Sequence, residues 1–413
     1  MLPIKQINLY LIILTFALLP FNKVAEIPFS ILAIQGLVLL CKNFKELIKN
    51  PVSKTFVIFF LCTFIPCLLS SFFALKVDKA LSVPLNLLRC LFAGLTIIQT
   101  VTTKEDRQNL LKASFHIIAF WIIACFIQGY TEYSLLGNFD PGRGRVGGIF
   151  TKQPSAGYLL GFLSPLILIP LMEKPWHILY KILGLAITTV ALLQTGGRGG
   201  FIMFSIAAFT SLLYLWPKDT KVIKRLVLTA SVLLVAGSLL GLIAYKSFER
   251  IENRVDDTLQ VFNGDFDSFD DASSGRATLW TNSWKCFMQN NKIIGMGGRN
   301  LRYNYEILAA DDDLYKGRAV AHPHHVYLEY LFETGFIGLV TLLFSLAFLT
   351  TKFFRASTYQ KLLAAPFALA FFVEYFPVNS HKSHFSSHFN LSLWLITALF
   401  IATLSIKDTQ EAS

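Results

Sequence analysis

Read for runs of apolar residues, the chain divides into about twelve stretches suited to membrane helices: 8–22, 27–41, 55–75, 82–102, 109–129, 153–173, 178–195, 199–216, 226–245, 333–351, 358–377 and 389–406. A hydrocarbon core of about 30 Å takes about 20 helical residues to cross. The first two stretches fall short of that, which predicts tilted or partly interfacial helices. The pattern therefore predicts an all-α polytopic membrane protein in three parts. Transmembrane helices 1–9 occupy residues 1–245, a long polar loop with short helices occupies 246–332, and helices 10–12 with a tail occupy 333–413. The loop ends on Ala321 to Gly338, AHPHHVYLEYLFETGFIG, where three histidines stand in four residues directly before the next apolar run.

Composition removes the soluble alternative. With 54% hydrophobic and 15% charged residues among 413, and a mean hydropathy of +0.53, polar surface is too scarce to cover a soluble globule. The net charge of +11 raises the question of nucleic acid. The basic residues, however, sit mostly in short loops between apolar runs, where they orient a membrane protein, so nucleic acid is excluded as a partner. Lys42, Lys45, Lys49 and Lys54, then Lys104, Arg107 and Lys112, then Lys218, Lys221, Lys224 and Arg225 mark even-numbered loops, which carry about twice the Lys and Arg of the short odd-numbered ones. Even loops and both termini are thus predicted to be cytoplasmic, and 246–332 to face outward. The first run follows a single Lys5 and lacks a small-residue cleavage site, as a retained span does. Five of the six cysteines lie in or beside apolar runs, so no disulfide framework is predicted.

The outward loops hold the unusual chemistry. Arg198 stands in the turn TGGRGG, Thr195 to Gly200, immediately before an apolar run. A guanidinium fork among glycines suits bidentate capture of a phosphate; the competing reading is an interfacial anchor that snorkels to lipid headgroups. Arg276 lies in SSGRATLWTNSWKCF, where Ser273 or Ser274 can cap a helix carrying Leu279, Trp280, Trp284 and Phe287 at helical spacing. That helix start is either an anion site, from unsatisfied N–H groups beside a guanidinium, or the opening of an amphipathic helix on the membrane surface.

Other features point less directly to chemistry. IIGMGGRNLR, Ile293 to Arg302, reads as a turn, and the acidic stretches Asp265 to Asp271 and Asp311 to Asp313 as solvated loop. His322, His324 and His325, with His381, His384 and His388 as a second outward cluster, leave two readings open: metal ligands, or a general base that takes a proton near pH 7. Arg89, deep within an apolar run, either approaches a lipid phosphate or pairs inside the bundle.

Taken in order, Arg198, Arg276 and the stretch from His324 resemble the O-antigen ligase and O-antigen polymerase superfamily, membrane glycosyltransferases of the C-type fold. The resemblance extends to the span count and the single long external loop. The family's histidine motif reads His, usually Asn, nine residues, Gly, two residues, Gly. Here that is His324, His325, Val326 to Thr334, Gly335 and Gly338. By this resemblance His324 is the catalytic base, His325 stands in the Asn place, and His322 supports. Arg198 and Arg276 match the family's arginines, and Gly144 to Tyr158, GRVGGIFTKQPSAGY, resembles its Arg-x-x-Gly-x-Phe segment, making Arg145 a third cation.

The resemblance further implies a donor glycan on undecaprenyl diphosphate, transfer without metal, nucleotide or other cofactor, and an active site on the periplasmic face of the inner membrane. Lipid A–core oligosaccharide is the acceptor in a ligase, the member that one long loop favours; a second lipid-linked repeat is the acceptor in a polymerase, and a protein in an O-oligosaccharyltransferase. From another class, an anion or lipid transporter would place its charges near the midplane, where this chain offers Arg89.

Overall fold

The computed structural model describes residues 3–134, 145–151, 153–214, 266–273, 275–308, 322–378 and 382–408, and among these every regular element is helical. The predicted span 226–245 and residues 246–265, 274 and 309–321 of the predicted loop, with Asp265 and Asp311 to Asp313, lie outside the described residues. The helices are α1 (Ile4–Leu18), α2 (Glu26–Lys49), α3 (Pro51–Ser71), α4 (Val77–Thr100), α5 (Lys104–Thr131), α6 (Gln153–Phe162), α7 (Pro165–Glu173), α8 (Ile178–Gln194) and α9 (Arg198–Tyr214). After the undescribed stretch come α10 (Phe266–Ala272), α11 (Arg276–Met288), α12 (Leu301–Leu308), α13 (Val326–Arg355), α14 (Thr358–Glu374) and α15 (Ser387–Leu404).

By length and composition five of the described helical runs can cross a membrane: Ile4–Lys49, Pro51–Ser71, Val77–Thr100, Lys104–Thr131 and Val326–Arg355. A sixth is the bent pair α6 and α7. The protein is accordingly a multi-pass membrane protein, and among the described residues fewer helices are long enough to span than hydropathy predicts. The difference has local causes. α1 and α2 form one apolar run interrupted by a 3₁₀ segment, Leu19–Ala25, in which Asn22 takes φ 56° and ψ −107°, and the two helices fold back on each other. The predicted span 153–173 is broken by 45° just ahead of Pro165, whose missing N–H and ring cannot continue the ladder. α8 is apolar but holds 17 residues, about 26 Å at 1.5 Å per residue.

Because lipid is as apolar as leucine, these helices associate through packing and buried polar ties rather than through a hydrophobic difference. Phe120, Val340 and Phe344 stay exposed on their spans, as lipid-facing residues do. The interior is aromatic at its centre, where Trp394 of α15 packs edge-on against Phe56 and Phe59 of α3, with ring centroids 5.9 and 5.6 Å away. Hydroxyl ties cross the helices: Thr96 of α4 donates to the Leu32 carbonyl of α2 at 2.8 Å, and Thr341 of α13 to the Cys62 carbonyl of α3 at 2.7 Å. α6 and α9 meet through glycine; a Cβ on Gly200 would collide with the Gly157 carbonyl, and one on Gly161 with the Gly200 carbonyl. That close approach fixes where Arg198 begins its helix.

α13 begins at Val326, seven residues before the predicted start, and is interrupted at Gly335, where φ is 68° and ψ −169°. This is a backbone region essentially restricted to glycine. The ladder freed there is taken over by the segment after α11: Met296 N–H donates to the Phe332 carbonyl at 3.0 Å and Gly297 N–H to the Glu333 carbonyl at 2.8 Å, while Phe336 N–H donates to the Lys292 carbonyl at 2.9 Å. IIGMGGRNLR is therefore the predicted turn, and it is threaded through the break in α13.

Gly335→Ala is expected to cost about 1–3 kcal/mol in backbone conformation alone, and more because the Cβ would meet the Ile293 carbonyl. At Gly338 an added Cβ would also crowd Thr334, but φ is not positive there, so Gly338→Ala lacks the backbone cost and is expected to be milder. The thermal unfolding midpoints of the two purified variants measure the difference; equal midpoints would contradict it.

Candidate active site

Four segments far apart in sequence converge near the start of α13. The first carries Arg145. Its path is held from both sides: Val146 N–H donates to the Gln194 carbonyl at 3.1 Å, and the N–H groups of Gly147 and Gly148 donate to Gln128 Oε1 at 3.1 and 2.6 Å. Arg145 lies against Gly196 in the turn before α9, where an added Cβ would sit 3.2 Å from Arg145 Cγ. Arg198, half-buried, is the first residue of α9. Two predicted cations, one from each side of α6, are thus brought to one turn.

The second segment is the start of α11. Ser273 does cap it, its hydroxyl accepting from Arg276 N–H at 3.2 Å, and Asp270 accepts from the Thr278 N–H at 2.9 Å and hydroxyl at 2.6 Å. The acidic tract thereby supplies a helix cap. These bonds engage the N–H groups of Arg276 and Thr278 at this terminus. α11 buries Leu279 and Phe287 against Met296, Leu301 and Phe332, so its apolar face is covered by protein, whereas Trp284 is 46% exposed.

The third segment is the histidine stretch. His324 takes φ 56°, a left-handed conformation uncommon for a side-chain-bearing residue and typical of positions held for function or by strong neighbours. Its ring lies 4.1 Å, centroid to centroid, from that of buried His322. His325 is the N-cap residue of α13, and its Nε2 lies 2.9 Å from the Pro377 carbonyl, which can only accept, so Nε2 carries the proton. Trp280 of α11 donates its indole N–H to the Pro323 carbonyl at 2.7 Å and meets the His325 ring edge-on at 5.8 Å. Burial pushes the His325 imidazolium below its ordinary pKa, partly offset by the Pro377 bond. His325 is therefore neutral at pH 7 and ties α13 and α11 to the next loop.

That loop, 377–386, is the fourth segment. Glu329 of α13, buried, accepts from the Ser383 hydroxyl at 2.5 Å and from His384 N–H at 2.9 Å. Glu374 of α14, also buried, takes the Tyr158 hydroxyl at 2.5 Å and His384 Nε2 at 3.1 Å on one oxygen. The loop brings Lys382 towards Arg145 and Arg276, whose charges act on it. His384 lies in the turn before α15. His381 lies outside the described residues.

Two predicted residues are placed differently. Arg89 pairs with Glu26 of α2 at 3.0 Å, both side chains about a quarter exposed. Of its two sequence readings, this is the one in which the charge is paired within the bundle. Gly335 and Gly338 contact protein, Ile293 for one, Thr334 and Pro66 for the other. Sequence reading overlooked Tyr158, Glu329, Glu374 and Lys382. Glu374 carried a signal, because a carboxylate within an apolar run is expensive and marks a functional or pairing site.

Residues 183–343 match the family model described as O-antigen ligase. The match takes in Arg198, Arg276, the three histidines, Gly335 and Gly338, and leaves Arg145 and Lys382 outside. None of the curated proteins matches the chain. The match over residues 183–343 supports the resemblance to the O-antigen ligase and O-antigen polymerase superfamily.

Proposed function

We propose that the protein is an O-antigen ligase. It takes a glycan from undecaprenyl diphosphate, on the periplasmic face of the inner membrane, and joins it to lipid A–core oligosaccharide. What supports this reading is that Arg145 lies against the turn before Arg198 and acts with Arg276 on Lys382, while Trp280 of the helix that Arg276 opens is bonded to Pro323 beside the left-handed His324. A diphosphate at a membrane boundary needs several cations at once, and three arginines suited to bidentate bonds meet that need.

In the reaction the acceptor hydroxyl attacks C1 of the donor sugar. The bond from C1 to the phosphate oxygen breaks as the new C1–O bond forms, inverting the anomeric centre. The hydroxyl proton passes to the His324 imidazole. The leaving undecaprenyl diphosphate keeps the bonding electrons as negative charge, which Arg198, Arg276 and Arg145 stabilise. His325 and His322 hold the histidine stretch in place, and the paired Arg89 ties α4 to α2.

Purified protein incubated with a lipid-diphosphate glycan and lipid A–core, in detergent and with chelator present, is expected to yield the joined product. Absence of product with either acceptor, core or a second lipid-linked repeat, would overturn the reading. Deletion separates the ligase from the polymerase: accumulated lipid-linked polymer with rough lipopolysaccharide marks the former, and lipopolysaccharide capped with one repeat the latter.

A further inference from the structure

Two carboxylates are buried side by side at the loop between α14 and α15, and their hydrogen bonds go chiefly to that loop. Glu329 holds Ser383 and the backbone of His384; Glu374 holds the His384 ring and Tyr158. Buried carboxylates are costly unless closely partnered, and removing a partner leaves the cost uncompensated. The network therefore confines residues 383 and 384 to one path. The residue immediately before them is Lys382.

Lys382 is half-buried, with Nζ 5.4 Å from the centroid of Phe389, whose ring in turn meets Tyr158 edge-on at 5.4 Å. Among the described residues no carboxylate lies within ion-pair distance of Lys382. The groups around it are Arg145 ahead of α6, Arg276 at the start of α11, Tyr158 on α6, and Glu329, Glu374 and His384, each engaged as described. A lysine held by this network beside two further cations adds to the attraction for a multiply charged anion, and a diphosphate carries more than one negative charge.

We infer that Lys382 is a further phosphate-binding cation of the donor site, delivered there by the Glu329 and Glu374 network. The inference rests on the donor-site reading above. Burial, with the charges of Arg145 and Arg276, lowers the Lys382 ammonium pKa to about 8. A bound diphosphate raises that pKa. The contribution of Lys382 to binding is therefore complete below about pH 8 and is lost as pH rises from there through the pKa of the bound state. Ionisation of the phosphate, with a second pKa near 6, is finished over this range.

The test titrates undecaprenyl diphosphate against the purified full-length protein between pH 7 and 9.5. Wild type is expected to lose affinity above pH 8, by up to about tenfold per unit. Lys382→Arg, which stays charged, is expected to bind as wild type does at pH 7 and to show a flat profile. Lys382→Met is expected to bind about tenfold or more weakly with a flat profile. A Lys382→Met variant within threefold of wild type, beside an Arg276→Ala variant that binds weakly, would overturn the role of Lys382 and leave the donor site standing. Unweakened binding by both Arg276→Ala and Arg145→Ala would overturn the donor site. If Lys382→Met fails to fold, the wild-type and Lys382→Arg profiles decide: parallel slopes above pH 8 overturn the inference.

Discussion

His324→Asn is expected to lower the rate of glycan transfer by about 10²–10⁴, the usual contribution of a general base, with the amount of protein in the membrane unchanged. Asparagine is the informative substitution because His324 occupies the left-handed region, φ 56°. Asn enters that region more readily than other residues with a side chain, so the backbone is preserved while the base is removed. His325→Gln is the matched control. His325 donates from Nε2 to the Pro377 carbonyl, a bond that the glutamine amide NH₂ can reach and make, and activity is expected to stay within a few-fold of wild type. Rates of the two purified variants, measured with saturating donor, decide the assignment. A deep loss at 325 with a small one at 324 would move the base to His325.

Arg276→Lys is expected to lower transfer by about 10²–10³, the range seen when one preorganised electrostatic group is removed from a site of developing charge. A lysine keeps the charge but presents a single point donor where the guanidinium presents a planar fork. The fold gives this variant a clean background. The start of α11 is capped by Ser273 and Asp270 through its N–H groups and the Thr278 hydroxyl, none of which involves the Arg276 side chain. One turn further on, Trp280 anchors the helix to Pro323. Unfolding midpoints should therefore match those of wild type, and a lysine variant with wild-type rate would show that charge alone suffices. Arg198→Lys tests the same demand at the turn before α9.

The particular residues that sequence reading located, and those it missed, divide along a physical line. Hydropathy is a sum over neighbours, so α3, α4, α5 and α13 could be seen in advance, as could the capping of α11 by Ser273. The order of Arg198, Arg276 and His324 along the chain was likewise visible. Interruptions were harder, though not beyond reach. Pro165 announces the bend between α6 and α7, whereas the break at Gly335 requires knowing that Ile293 lies against it.

Nothing local distinguishes Lys382 from any loop lysine, or Tyr158 from any aromatic residue in an apolar run. Their meaning comes from pairings across long separations: Tyr158 with Glu374 over 216 residues, Glu329 with Ser383 over 54. Candidate anion-binding groups and an expected sidedness could be named from residue type and loop charge alone, because both rest on free energies that add along the chain. Which of them stand together, and which loop is held so that they do, was settled by folding, because a buried carboxylate is tolerated only where its donors come within hydrogen-bond distance.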